Sequence, residues 1–184
     1  MRTICILTFL YILTGCGTTM SKYESPNYQE VLKEGEFELR SYAPALIAST
    51  AHSSENSGFR KIFRFISGDN SGQDKISMTV PVRMSVDDNK PSMAFFMPSK
   101  YSAETIPQPN NNEVKVGEFS GGQFAAHRFT GTSDESKVEQ KIERLVKWAT
   151  EKGYTATDER YLDRYDPPWT FWFMKTNEIL VRVE

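Results

Sequence analysis

Hydrophobic and polar positions run along this chain in two successive blocks that share one order of periods. In the first, Phe37, Leu39 and Ser41 oppose Glu38, Arg40 and Tyr42, which predicts an amphipathic strand broken by Ala43-Pro44. A second strand is expected over residues 46–51, followed by a polar turn with capping residues over 53–57. Phe59, Ile62, Phe63 and Ile66 then recur at i, i+3, i+4 and i+7, the signature of one apolar helix face. The run Gly68-Asp69-Asn70-Ser71-Gly72 stops that helix, and strands are predicted around 76–86 and 92–97, joined by the turn-rich Asp87-Asp88-Asn89-Lys90-Pro91.

After a loop over 99–112, marked by Pro107 and Pro109, the order begins again. Val114, Val116 and Phe119 alternate, Gly121-Gly122 turns, and residues 123–129 return as a strand. Ser133-Asp134-Glu135 caps a second helix, whose buried stripe is read as Val138, Ile142, Leu145, Val146 and Ala149 and which Gly153 ends. Strands around 159–165 and 179–183 close the chain. The order is therefore ββαββ twice, with pseudo-repeats at about 28–98 and 113–184. An offset of 77 residues aligns Glu36-Phe37-x-Leu39-x-x-Tyr42 with Glu113-Val114-x-Val116-x-x-Phe119, and Ala48 with Ala125. The expectation is an α+β fold whose strands curve into a barrel-like body with the helices outside. A cleft at the pseudo-twofold interface is its default ligand site.

The N-terminus carries separate information. The apolar run Ile4 to Leu13 is about half the roughly 20 residues that a membrane-spanning helix needs, and suits the core of a signal peptide. It ends in Leu13-Thr14-Gly15-Cys16, which resembles the lipobox of bacterial lipoproteins, an aliphatic residue and two small residues before the cysteine that is acylated. On that reading residues 1–15 are a lipoprotein signal peptide, Cys16 carries the lipid, 16–27 form a tether, and 28–184 form the folded domain. Acyl chains at Cys16 anchor the protein in the bacterial envelope, on the periplasmic side of the outer membrane if the cell is Gram-negative. Cys5 and Cys16 are the chain's two cysteines, so the folded part has no thiol for catalysis or haem ligation.

Composition narrows the function. Cleavage would remove Arg2 alone among charged residues, leaving 21 basic against 24 acidic side chains, so phosphate neutralisation of a nucleic acid has no basic surplus to draw on. A mean hydropathy of −0.50 excludes a multi-span membrane protein. Gly-rich phosphate loops, HExxH, GxSxG and CxxC patterns are missing. Ser71 reads as a turn serine, Asp87-Asp88 as a solvated hairpin tip, and His52 as a solvent-exposed strand end. His127 alternates in phase with Ala125 and Phe129 and points to an interior or a cleft. Met78, Met84, Met93 and Met97 read as adaptable core. Arg60, Lys61 and Arg64 lie along the polar side of the first helix and are candidates to hold ligand carboxylates. No catalytic set and no metal site can be assembled.

Several segments, taken in order, resemble the SOUL haem-binding protein family. They are Phe37-Glu38-Leu39-Arg40-Ser41-Tyr42-Ala43-Pro44, the stretch from Phe59 through Asn70, Lys75-Ile76-Ser77-Met78-Thr79-Val80-Pro81-Val82, and Tyr165-Asp166-Pro167-Pro168-Trp169, closed by Asn177-Glu178. The resemblance implies a distorted antiparallel β-barrel of two ββαββ halves with two flanking helices. It implies non-covalent haem or porphyrin binding in an apolar groove beside the first helix, with no enzymatic activity. Carried over by position, the groove's apolar residues fall on Phe59 and Phe63, and the basic propionate partners on Arg64 and Lys175. Ser41 stands where some members carry a proposed axial histidine, which excludes histidine ligation from that position. The alternative is an envelope protein-interaction module of the same fold without a tetrapyrrole; no particular protein partner is implied.

Overall fold

The computed structural model describes residues 23–86 and 91–184. The expected signal peptide, Cys5, Cys16 and most of the tether lie outside the described residues, as does the turn at 87–90.

Among the described residues, nine antiparallel strands and two α-helices make an α+β fold. In chain order they are β1 (Tyr28–Glu34), β2 (Phe37–Tyr42), β3 (Ala45–Ala51), α1 (Glu55–Ile66), β4 (Val82–Ser85), β5 (Ser92–Phe96), β6 (Lys115–Phe119), β7 (Gly122–Thr130), α2 (Glu135–Glu151), β8 (Ala156–Arg164) and β9 (Thr176–Val183). A single 3-10 turn, Trp172–Met174, precedes β9. The sheet order is β1-β2-β7-β9-β8-β4-β5-β3-β6.

Two short connections dictate the shape of that sheet. Only Ala43 and Pro44 join β2, second in the order, to β3, which is eighth. Only Ser120 and Gly121 join β6, ninth in the order, to β7, which is third. Two residues reach a few ångströms, whereas six strand spacings in a flat sheet would span roughly 29 Å. The sheet must curl until its two ends meet. They do: the ring of Tyr42 on β2 lies 6.1 Å from that of Phe119 on β6, although a flat sheet would hold them roughly 33 Å apart. The two corners cross at Gly121, whose φ is +67°, and a Cβ there would stand 2.8 Å from the carbonyl carbon of Ala43.

The halves exchange partners in the same register. Tyr42 pairs with Gly122, and its counterpart 77 residues on, Phe119, pairs with Ala45. Strands β4 and β8 meet across the pseudo-twofold axis, with Met84 opposite Leu162 and Arg83 opposite Asp163.

Strand alternation gives the sheet two unlike faces. Outward, Leu39, Ala48, Met84, Met93, Phe95, Ala125, Leu162, Ile179 and Val181 pack under Ile62, Phe65 and Ile66 of α1 and Val138, Ile142, Leu145 and Trp148 of α2. Ser54 and Asp134 cap the two helices, each accepting from the backbone N–H three residues on. Inward, Tyr42, Phe96, Phe119, Phe124, Ala126 and Leu180 form a second, smaller core.

Several expectations change at this level. In α1 the buried row is Gly58, Ile62, Phe65 and Ile66, while Phe63 is 45 % exposed. The row 58, 62, 65 faces the sheet, and Phe59 and Phe63 form the next i, i+4 row, at the edge of the contact. In α2, Trp148 joins the buried stripe and Val146 lies at its margin. The strand expected over 76–86 contracts to Val82–Ser85, because Pro81 has no N–H to give a ladder. The strand β1 went unforeseen; all seven of its residues are exposed, so it has no alternation to read. The side of β2 expected to be polar is buried by the curl, with Arg40 2 % and Tyr42 5 % exposed.

The crossing corners are testable. Gly121→Ala, which meets backbone atoms and needs a left-handed φ, is expected to lose more than about 2 kcal/mol in urea unfolding. Gly35→Ala, at φ +59° with open space around the Cβ, is expected to lose only about 1 kcal/mol. Equal losses would show that the crossing exerts no constraint.

Candidate functional site

A cavity of about 430 Å3 lies on the outer face between the helices. Its floor comes from the two strands that meet at the pseudo-twofold axis and their neighbour: Val82 and Met84 of β4, Met93 of β5 and Arg164 of β8. One wall is the first turn of α1, with Glu55, Asn56 and Phe59; another is Gly131-Thr132-Ser133, just before the N-cap of α2. The segment Asp166 to Asn177 closes it, contributing Pro168, Trp172 and Lys175. Both helices thus bring their positive N-terminal ends to the groove, an arrangement that favours anionic groups.

Phe59 stacks on Phe63 with ring centroids 5.7 Å apart and planes 13° from parallel, and also meets Phe95 at 5.6 Å. Arg164 spans the groove's two walls, its Nη1 donating to Glu55 at 2.6 Å and its Nη2 to Ser133 Oγ at 3.2 Å. Its Nε is buried without an acceptor. The closing segment is pinned at its base: Asp166 accepts from the Thr176 N–H at 2.5 Å, Asn177 donates to the Gly131 carbonyl at 2.9 Å, and the Gly131 N–H donates to the Lys175 carbonyl at 2.9 Å. Beyond those anchors the segment is apolar and exposed, with Trp169 at 83 % and Phe171, Trp172, Phe173 and Met174 all more than half exposed. Apolar area of that extent on a surface marks a place where something binds.

Of the four residues carried over to the groove, the fold brings two together there, Phe59 and Lys175. Phe63 sits behind Phe59 in the stack. Arg64 is not brought to the groove: five residues past Phe59 it turns about 140° round the helix, where it pairs with Asp69 at 2.9 Å and is largely exposed. Arg164 stands in its place as the second cation of the groove. Its parity with Leu162, on the strand leading into Tyr165-Asp166-Pro167-Pro168, was the available signal. Ser41 lies on β2 between Gln29 and Gln123, outside the groove's lining. Lys61 is held by Glu113 at 2.7 Å. His52, expected in solvent, packs its ring against Gly58, where any Cβ would come within 3.0 Å of it, and its Nδ1 is buried without a partner.

The inner face carries buried charge that the sequence did not announce. Glu178, fully buried, accepts from Arg40 at 2.8 Å, Arg128 at 3.1 Å and the Tyr165 hydroxyl at 2.9 Å. Asp163 accepts from Arg83 Nε at 2.8 Å and Nη2 at 2.7 Å. Burial pushes the hydroxyls of Tyr42, Tyr161 and Tyr165 well above the usual tyrosine range, so all three stay protonated and able to donate. Burial also drives the Asp163 carboxyl upward, a tendency that the Arg83 guanidinium opposes.

These features define a class first: a curled α+β sheet that presents a groove with an apolar floor, rimmed by two cations, Arg164 and Lys175, and two carboxylates, Glu55 and Asp166. A model of the family described as SOUL heme-binding protein matches residues 23–182, and the chain belongs to that family. It is similar to heme-binding protein 2 of Mus musculus, at 24 % identity covering 78 % of this chain and 80 % of the mouse protein. Its fold is shared with the C-terminal domain of EcmrR (TM-score 0.61, 15 % identity, covering 85 % of this chain and 98 % of that one). A protein titled a hydrolase from Listeria innocua also shares the fold (TM-score 0.59, 11 % identity, covering 84 % and 94 %). Family membership makes haem or a porphyrin, held non-covalently, the ligand class in question.

His127 gives this subsection its test. The residue faces α2, not the inner cavity; its Nε2 lies 3.1 Å from Glu36, and its Nδ1 is buried without a partner. Burial, followed by the charge of Lys141, holds its pKa below the usual 6.5. The unfolded chain therefore takes up a proton near pH 6.5 that the folded imidazole refuses. Stability from this residue is full above that pH and falls as pH drops through it. The urea midpoint is expected to fall between pH 7.5 and 5.5 in the wild type and to fall less in His127→Gln; equal slopes would refute the assignment.

Proposed function

We propose that this chain is a lipid-anchored envelope protein that binds haem or another porphyrin in the groove between α1 and the 164–177 segment, without catalysing a reaction. The observation that carries the reading is the pairing of an apolar floor (Val82, Met84 and Met93, with Phe59 and Trp172 beside it) with two cations, Arg164 and Lys175, in one cavity of about 430 Å3. That volume is within the usual range for a small-molecule site, roughly 300–1,000 Å3. A tetrapyrrole has an apolar macrocycle and two propionates; the floor is a counterpart to the first, and Lys175, with Arg164 in exchange for its bond to Glu55, is a counterpart to the second. Lys175 makes no ion pair with any described residue, which leaves its ammonium available to a carboxylate.

Among the described residues the groove's lining includes no histidine, cysteine or tyrosine, and its candidate iron ligands are the thioethers of Met84 and Met93. Stacking and carboxylate pairing supply most of the affinity, and a thioether on iron adds modestly to it. Hemin and metal-free protoporphyrin IX are expected to quench tryptophan fluorescence saturably, with dissociation constants within about tenfold of each other. Lys175→Ala and Arg164→Ala should each weaken both ligands by about tenfold or more, the value of a charge-assisted hydrogen bond. Arg64→Ala should change neither. Failure of both tetrapyrroles to saturate would overturn the reading, and a large preference for hemin would assign an iron ligand to Met84 or Met93.

Anchoring rests on Leu13-Thr14-Gly15-Cys16. Cys16→Ser is expected to move the protein from the membrane fraction to the soluble one, and mass spectrometry of the wild type should show acylation at Cys16. A second reading, an envelope module that docks a protein, draws on the exposed run from Trp169 to Met174. It would gain ground if those aromatics were protected by a partner while porphyrin failed to bind.

A further inference from the structure

The loop between β8 and β9 carries Trp169, Phe171, Trp172, Phe173 and Met174, the five most exposed large apolar side chains among the described residues. The backbone holds them there. The Thr170 N–H donates to the Pro167 carbonyl at 3.1 Å and the Met174 N–H to the Phe171 carbonyl at 2.9 Å, so the loop is a folded tip above its anchors at Asp166 and Lys175. Its rings support one another: Phe171 stacks on Phe173 with centroids 5.8 Å apart, and Trp172 meets Phe173 edge-on at 5.7 Å. No charged side chain occurs from Pro167 to Met174, so covering the tip desolvates no ion.

The topology puts this tip at the end of the sheet where the N-terminal segment arrives. Arg164, the last residue of β8, pairs with Val82, the first of β4. The chain enters β4 through Thr79-Val80-Pro81, and there Glu24 forms a parallel bridge with Thr79. The Glu24 carbonyl accepts from the Val80 N–H at 2.9 Å, and its carboxylate from the Ser99 N–H at 2.7 Å. Glu24 lies eight positions after Cys16, and eight residues of fully extended chain reach at most roughly 29 Å. An acylated Cys16 therefore keeps this end of the sheet close to the bilayer.

We propose that the Trp169–Met174 tip inserts into the headgroup region of the membrane that holds Cys16, a lipid contact made by apolar side chains and not by charge. The nearness of the membrane rests on the anchoring reading given above; the contact itself rests on the tip. Indole and phenyl rings favour the bilayer–water interface, and the binding of such a surface grows with the apolar area it buries. With 24 acidic against 21 basic side chains after Arg2 is removed, the chain offers anionic headgroups no net attraction, so the contact is insensitive to salt. Pro168, Trp172 and Lys175 of the same segment also line the groove, so the contact sets the groove's mouth at the membrane surface.

The test uses the full chain, without porphyrin, reconstituted into palmitoyl-oleoyl phosphatidylcholine vesicles. Part of the lipid is replaced by phosphatidylcholine brominated near the headgroup end of its acyl chain or near its terminus. Trp148, buried with its Nε1–H donating to Glu34 at 3.0 Å, is shielded from lipid, so bromine reads Trp169 and Trp172. Their emission is expected to shift to the blue in vesicles and to be quenched more by the shallow bromines than by the deep ones. Raising sodium chloride from about 0.05 to 0.5 M should leave the quenching unchanged. Phe171→Ser with Phe173→Ser keeps both tryptophans and should lose most of the shift and the quenching. Both positions are more than half exposed, so this variant should keep the urea midpoint of the wild type by circular dichroism, which reports its fold. No quenching in the wild type overturns the proposal, as does quenching that salt abolishes or that survives the double substitution in the folded variant. A tip left unquenched in lipid but shielded from chymotrypsin in whole envelopes belongs to a protein partner and overturns it too. Acylation at Cys16 is read separately by mass spectrometry, so an acylated chain with an unquenched tip refutes this contact alone. Quenching without acylation refutes the anchor alone.

Discussion

The shape of this protein rests on two connections of two residues each, crossing at Gly121. Because Ala43-Pro44 and Ser120-Gly121 tie the far ends of the sheet order together, the sheet has no flat alternative. A Cβ at 121 would displace the opposing corner, and closure would have to loosen with it. From closure follows the division into an outer face that needs helices to cover its apolar residues and an inner face that is covered by the sheet itself. Neither α1 nor α2 reaches that inner face; its rings and charges must satisfy one another.

That requirement explains why the inner charges occur as pairs. Arg40, Glu178, Arg83 and Asp163 are each no more than 3 % exposed, and removing one member of such a pair costs about 3–5 kcal/mol because its partner stays buried. Hydrophobic replacements of similar volume could hold a core equally well. The pairs instead pin strands from both halves: Arg40 of β2 to Glu178 of β9, and Arg83 of β4 to Asp163 of β8. Each pair joins side chains 80 or more positions apart in sequence, and each fixes which residue faces which. The exposed pairs, such as Lys137 with Asp134, add little beside them.

Local patterns in the sequence were legible where one face met one environment. The two helices, their caps, Gly153 as a terminator and the offset of 77 residues all follow from period and turn chemistry. What was not legible depends on curvature. Glu38, Arg40 and Tyr42 look like a solvent face, but on the curled sheet Arg40 is covered by Tyr28, Tyr42 and Glu178, and Tyr42 by Phe119 and Phe124. In α1, a period of 3.6 allows either Phe63 or Phe65 to be the inward residue, and the position of the helix over β3 and β5 decides for Phe65. Phe59 and Lys175, taken from the family's pattern, fall beside one cavity, whereas Arg64 falls away from it because the seating of α1 on β3 and β5 turns that side of the helix outward.

That register does more than close the sheet. Along β4, Val82 and Met84 line the outer groove while Arg83 and Ser85 line a smaller cavity on the inner face; along β5, Met93 faces out while Ala94 and Phe96 face in. On β8, Arg164 belongs to the groove and Tyr161 to the cavity. The same three strands, at the pseudo-twofold axis, therefore build both linings by simple alternation. A slip of one residue between β4 and β8 would carry Arg83 into the groove and Met84 into the inner cavity. The bidentate pairing of Arg83 with Asp163, directly opposite each other on those strands, opposes that slip. An ion pair that contributes little net stability against an apolar substitute thus has a definite task, to keep the linings of the outer groove and the inner cavity on their own sides of one sheet.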